Sequence, residues 1–162
     1  MLGTFSPTKA IQAAAVALKA TQPHRMSRLR LLKLLYIADR ESIAETERSI
    51  TADVAYAMNH GPVLSRIYNC IKGTDPATGE WEHFIGRDGP QDVRLVEDPG
   101  IGELSQWEVE KLHAVTVRNE PLNDYELAEL THEFLEWKKN EPPKGGSIED
   151  LGFDDGEFGE FQ

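Results

Sequence analysis

Five histidines, one cysteine and an aspartate set inside an apolar run are the residues of this chain best suited to chemistry. His24, His60, His83, His113 and His132 share no helical or short-ligand spacing with one another, and the lone thiol of Cys70 supplies no zinc framework. The stretch "HEFLE" from His132 to Glu136 opens like the zinc-protease motif, whose two histidines share one helix face, but Glu136 stands where the second histidine is needed. No metal ligands, no cofactor and no catalytic residues are therefore expected. Neither G-x-x-x-x-G-K-[ST] nor G-x-G-x-x-G occurs, so nothing predicts a phosphate-cradling loop. Cys70 with a histidine could form a nucleophile pair, yet its place on the apolar side of a short helical stretch suits packing better.

Asp39 is the exception to its surroundings. It lies in "RLRLLKLLYIADRE", Arg28 to Glu41, where a helical wheel puts Leu31, Leu32, Leu34, Leu35, Tyr36, Ala38 and Ile43 over well over half the circumference. Arg30, Lys33, Arg40 and Glu41 fill a narrow polar wedge, while Asp39 falls among Leu32, Leu35 and Tyr36. A helix apolar on so many sides is predicted to be the central post of a helical core. A carboxylate inside that core must be paired or hydrogen-bonded, by an Arg, a His or backbone N–H groups of the loop near His60. A structural anchor and, with a nearby histidine, a small hydrolase or nucleotide-handling site are the two readings of Asp39.

The elements that position these residues follow from caps and periodicity. Thr8 can cap a helix through "KAIQAAAVALKA" ending near Gln22, and Ser27 can cap the helix carrying Asp39, which runs to about Glu45. Ser49 to Met58 reads as a loop followed by a short helix or extended piece. Gly61 suits a tight turn and Pro62 a first helical position, so "GPVLSRIYNCIKG" predicts a helix with Val63, Ile67, Cys70 and Ile71 on one face. "WEHFIGRDGPQDVRLVED" predicts a hairpin, with alternation at Trp81, His83 and Ile85 and a turn at Asp88-Gly89-Pro90 ahead of Val93 and Leu95. Ser105 with Glu108 forms a capping-box pattern before a helix using Trp107, Val109, Leu112, Val115 and Val117. Asn123 can cap a last helix through "DYELAELTHEFLEWKK", with Leu127, Leu130, Phe134 and Trp137 inward. The fold class expected is mainly α: one helical domain around a central helix, with a small β-hairpin.

Charge is unevenly distributed within a net −11. Met1 to Ala38 holds Lys9, Lys19, Arg25, Arg28, Arg30 and Lys33 and no acid, while Gly145 to Gln162 holds six acids and no base. Either the two ends neutralise one another within the molecule, or one of them meets a charged partner. The basic run around Arg25, Arg28 and Arg30 is a weak case for nucleic acid, because overall charge is negative and neither a DNA-reading motif nor interleaved aromatics accompanies it. No run approaches the ~20 apolar residues of a membrane span, and one cysteine with no leader-like start points to the cytoplasm. The organisation expected is a folded region over 1–144 and an acidic tail over 145–162. Phe153, Phe158 and Phe161, interleaved with Asp154 and Asp155, give that tail aromatic anchors amid its charge.

Three stretches in order carry a family resemblance: "KLLYIADRE" from Lys33, "AMNHGPVLSRIYNCIKG" from Ala57 and "LTHEFLEWK" from Leu130. Together they resemble the Panacea domain, the SocA-like antitoxin or phage-associated family, through Lys33, Leu34, Leu35, Tyr36, Asp39, Gly61, Pro62, Val63, Tyr68, Thr131, His132 and Trp137. The resemblance implies a compact, mainly helical domain without catalysis of its own, serving as the antitoxin of a bacterial or prophage two-gene system. The partner it implies is a toxin neutralised by direct contact; a branch acting as proteolytic adaptor adds a protease as a second partner. The shared residues read as core and turn positions, and Phe153, Asp154, Asp155, Phe158 and Phe161 are the candidates for toxin contact.

Overall fold

The computed structural model describes residues 3–58 and 61–139. Among them are seven helices and five short strands, a mainly helical molecule with small antiparallel sheets. The first helix, α1 (Pro7–Lys19), is capped by Ser6, whose Oγ accepts from Lys9 N at 3.2 Å. Thr8 is not the cap: Pro7 fits the first helical position, where its missing N–H costs nothing, so the cap falls one residue before it. After strand β1 (Arg25–Ser27), Ser27 caps α2 (Arg28–Thr46) as expected, accepting from Arg30 N at 3.0 Å. Leu31, Leu34, Leu35 and Ala38 of α2 are each at most 2% exposed, and the helix packs against α1.

Strand β2 (Ala55–Met58) pairs antiparallel with β3 (Gly61–Leu64), and α3 (Ser65–Lys72) follows directly. The helix expected from Pro62 therefore starts three residues late, at Ser65, and Pro62 lies in a strand. The cause is a cap supplied from a distance. Asp53 accepts from Arg66 N at 3.0 Å and Ile67 N at 2.9 Å, holding the first turn of α3 where Leu64 offers no side-chain bond.

A second correction concerns Trp81. Helix α4 (Thr78–Phe84) occupies the first part of the expected hairpin, since Asp75 and Thr78 set up a helical entry: Thr78 Oγ1 accepts from Asp75 N at 3.1 Å and Asp75 Oδ1 from Ala77 N at 2.8 Å. The hairpin itself is present as β4 (Ile85–Asp88) and β5 (Asp92–Leu95). It gains a third strand from β1, in the order β1-β5-β4 with Met26 opposite Val93. Two strands alone would be marginal; buried Met26, Ile85 and Val93 seat this sheet on the helices.

Helices α5 (Gln106–Arg118) and α6 (Asp124–His132) both open with capping boxes, Ser105 with Glu108 and Asn123 with Glu126, and both pack on α2. Their apolar rows are narrower than periodicity suggested. Leu112, Val115 and Leu127 are buried, whereas Trp107, Val117 and Leu130 are 37%, 47% and 39% exposed. The late helix also breaks after His132, and a short α7 (Leu135–Lys139) follows. That corner turns Glu136 inward to full burial. The expected acidic tail, with Phe153, Asp154, Asp155, Phe158 and Phe161, lies outside the described residues.

Candidate functional site

The polar wedge of α2 faces protein, not water. Lys33, Tyr36 and Arg40 repeat at three and four residues along one side of the helix, and all three are buried, Lys33 to 1% and Arg40 to 5% exposure. What covers them is the β2–β3 hairpin and the α6–α7 corner, elements distant in sequence. Lys33 Nζ donates to Pro62 O at 2.9 Å. Glu136 Oε2 accepts both Tyr36 OH at 2.8 Å and Arg40 Nε at 2.6 Å. The Arg40 guanidinium lies 3.9 Å over the Phe134 ring, and Phe134 stacks in turn on Tyr36 with centroids 6.1 Å apart. Paired and hydrogen-bonded in this way, ionised groups remain tolerable in a dry interior.

Gly61 is where hairpin and α6 meet. Its φ of +104° suits glycine, and an added Cβ would fall 2.5 Å from Thr131 Oγ1, 3.0 Å from Lys33 Nζ and 3.3 Å from His132 Cδ2. His132 stacks on Trp137 with centroids 4.1 Å apart and 7° between planes, and Trp137 Nε1 donates to Met58 O at 2.8 Å. His132 Nδ1 stands 3.2 Å from Glu129 Oε2, and its buried Nε2 has no hydrogen-bond partner among the described residues.

The structure thus brings together Lys33, Tyr36, Gly61, Pro62, Thr131, His132 and Trp137, seven of the residues singled out from sequence. Leu34, Leu35 and Val63 are buried in the α2 and β3 packing, and Tyr68 lies half-buried on α3 with Lys72 Nζ 4.8 Å from its ring centre. Phe134, expected inward, completes the junction together with Glu136 and Arg40, whose pairing was not foreseen. Their signal, an acid and a base 96 positions apart, has no local pattern to reveal it. His60 lies outside the described residues.

Asp39 is engaged elsewhere. Its Oδ1 accepts from Ile50 N at 2.8 Å and Thr51 N at 3.0 Å, and Oδ2 accepts from Ser49 Oγ at 3.0 Å and from the Thr51 hydroxyl. The anchoring loop is therefore 49–51, not the one near His60, and its donors are amides and hydroxyls. Burial lifts the Asp39 carboxyl from 3.8 to about 6, with these hydrogen bonds pulling the other way. No hydrogen bond or ion pair links Asp39 to His132 among the described residues. An open groove lined by Lys9, Ser42, Thr46, Arg48, Trp107 and Glu108 includes neither of them. Cys70 is buried, and desolvation pushes its thiol up to about 12, far from a reactive thiolate.

Most of the amino-terminal bases are already occupied. Lys9 pairs with Glu108 at 2.9 Å, Lys19 with Asp98 at 3.0 Å, Arg25 with Asp92 at 2.7 Å and Asp88 at 3.2 Å, and Arg30 with Asp124 at 2.9 Å. With Lys33 spent on a carbonyl, five of the six are engaged by the fold itself. Little of the run remains to grip phosphate. Among the described residues there is no group of three His, Cys, Asp or Glu placed to hold a metal, and no helix is long and apolar enough to cross a membrane.

Lys33 yields a pH signature. Burial lowers its ammonium from 10.5 to about 7, so the folded state gives up a proton that the unfolded chain still holds. A depressed folded value contributes stability that is full above the unfolded value and is lost as pH falls through the folded one. The folded chain should therefore gain stability between pH 7 and 10.5 through Lys33. Denaturant melts across that window should show a rise in the unaltered chain and a flatter profile in Lys33→Met.

No curated protein and no solved structure gives a significant match to the chain. A family model described as antitoxin SocA-like, Panacea domain, matches residues 31–138, from the start of the buried part of α2 to α7, and so spans every member of the junction. The chain belongs to the SocA-like antitoxin, Panacea-domain family.

Proposed function

We propose that this chain is the antitoxin of a bacterial or prophage two-gene system and neutralises its toxin by direct protein–protein contact. The observation that carries the reading is the family match over 31–138. The geometry of Asp39 supports it against a hydrolase reading, because both carboxylate oxygens are committed to loop 49–51 and are sealed from solvent. In this reading 1–144 is the folded unit and 145–162 is a segment that reaches the toxin. Phe153, Phe158 and Phe161 act as anchors, and Asp154 and Asp155 contribute to the charge that speeds encounter. The internal pairing of the basic start favours an outside partner for the tail, since those bases already have carboxylates from positions 88–124.

The test is co-expression with the product of the neighbouring gene, comparing the full chain with one ending at Lys144. Growth should be restored by the full chain, and the shorter chain should fold yet protect poorly. Equal protection by both moves the contact to the folded unit. A toxin that disappears from protected cells, instead of accumulating in a complex, converts the reading to delivery to a protease. A neighbour that is harmless and does not bind refutes the antitoxin assignment.

A further inference from the structure

Acids outnumber bases 28 to 17 in this chain, so a base left without an acid stands out. Arg25, Arg30, Arg66 and Arg118 pair with carboxylates, and Arg87 donates to two carbonyls. The side chains of Arg28, Arg48 and Arg94 have no hydrogen bond or ion pair among the described residues, and of these three Arg48 is the one that lines the open groove. That groove encloses about 380 Å³ between the first turn of α1, the end of α2, the loop 103–105 and the first turn of α5. Its walls are fixed by bonds that leave the guanidinium out. Glu47, with φ +63°, ends α2 in the left-handed region. Arg48 N then donates to Thr46 Oγ1 at 3.2 Å and Arg48 O accepts from Ser42 Oγ at 2.6 Å, which holds the backbone but not the side chain. On the other walls Lys9 pairs with Glu108 at 2.9 Å, and Gln12 Oε1 accepts from Glu103 N at 2.8 Å. The second oxygen of Glu108 closes the capping box with Ser105 N, so that acid is already spent.

Trp107 lines the same groove from the first turn of α5, and it is exposed. Lys111 Nζ stands 5.4 Å from its ring centre, and its indole N–H has no acceptor among the described residues. Tryptophan and arginine are enriched where binding energy concentrates, and here an unspent one of each shares a concave site whose walls are already in place. We propose that this groove is the docking site, on the folded unit, for a segment of the partner protein that brings a carboxylate to Arg48 beside a large apolar side chain set against Trp107. This rests on the antitoxin reading and names where the folded unit takes hold of the toxin. Charge complementarity selects the occupant. The Arg48 guanidinium, the Trp107 indole and the Ser105 hydroxyl, whose oxygen accepts from Glu108 N while its proton has no acceptor among the described residues, are donors that call for an acceptor. Glu103, whose carboxylate is without a partner among the described residues, takes a backbone N–H or a base of the same segment. At about 380 Å³ the groove lies at the small end of the range for ligand pockets, which suits a few side chains and not a whole helix of the partner. The charged contact fixes orientation, and the aromatic one slows dissociation.

The test uses the full chain and the purified product of the neighbouring gene, with affinity measured at two salt concentrations. Arg48→Glu reverses the free charge without breaking a bond of that side chain. Arg94→Glu, at an arginine likewise exposed and unpaired among the described residues but off the groove, makes the same change in net charge. Arg48→Glu should weaken binding about tenfold or more, and less so at the higher salt, with Arg94→Glu near the unaltered chain. Trp107→Ala should lose about tenfold at both salt concentrations. Arg48→Ala should lose about threefold or more, and it carries the test if the reversal melts early. Arg48→Glu, Arg48→Ala and Trp107→Ala variants that all bind like the unaltered chain overturn the groove while leaving the antitoxin reading intact. Equal loss in Arg48→Glu and Arg94→Glu shows that only overall charge matters and also overturns it. Loss in Trp107→Ala with both Arg48 variants unaffected overturns the carboxylate-bearing occupant. Failure of the unaltered chain to bind refutes the reading and the groove together.

Discussion

Glu136→Ala should destabilise the fold by about 3 to 5 kcal/mol, the range for removing one partner of a buried ion pair. The carboxylate is fully buried, and one of its oxygens serves both the Tyr36 hydroxyl and the Arg40 guanidinium. Truncation strips the charge that faces Arg40 deep beside Phe134 and leaves the Tyr36 hydroxyl without its acceptor. It also loosens the attachment of α7, whose one buried residue among those described is Glu136. A fall of roughly 10 °C in melting temperature is the corresponding shift for a chain of this size. Glu136→Gln keeps the shape and an acceptor and should cost less. A melting temperature within error of the unaltered chain for Glu136→Ala would show that the α7 corner is not seated on α2 as described.

Asp39→Ala should cost about 3 kcal/mol or more, for a different reason. Here the loss is of an acceptor for two backbone amides and two hydroxyls, and each buried donor left unmade costs about 1 to 3 kcal/mol. Ile50, 2% exposed, and Thr51 are pinned by these bonds, so the loop between α2 and β2 should become labile. Hydrogen exchange at the Ile50 and Thr51 amides should rise well before global unfolding. The pH dependence separates this from simple cavity formation. Because burial raises the folded carboxyl to about 6 from 3.8, its contribution is full below the unfolded value and is lost as pH rises through the folded one. The advantage of the unaltered chain over Asp39→Asn should therefore grow as pH falls from 6 toward 4. A constant difference across that window would contradict the burial described for Asp39.

What could be read from sequence was what is local. Ser27, Ser105 with Glu108, and Asn123 each cap a helix whose first free amides lie within three residues, and Asp88-Gly89-Pro90 marks a turn by its own chemistry. The need for Asp39 to be hydrogen-bonded followed from the cost of a bare buried carboxylate, although its partners lay in another loop than expected. The parts missed depend on distant contacts. The start of α3 is set by Asp53, 12 residues upstream of the helix it caps, so Gly61-Pro62 looked like a helix entry while in fact forming a strand. Trp81 and His83 alternate like a strand over too few positions to outweigh the Asp75–Thr78 turn that precedes them. The cover over the polar wedge of α2 could not be read, because nothing within α2 reveals that Glu136 and Pro62 will close over it. Of the candidate site, the α2, Gly61 and α6 positions were legible through the family motif. Glu136 and Arg40 were not, because their pairing arises only when the helix breaks between α6 and α7.

Direct association with the toxin is measured by calorimetric titration of the purified full chain with the purified product of the neighbouring gene. A saturable complex is expected, with Kd on the order of 10⁻⁷ M or tighter, the range of stable specific interfaces. Association should slow as salt is raised. Protection of cells with no complex formed at micromolar concentrations of both proteins would contradict it.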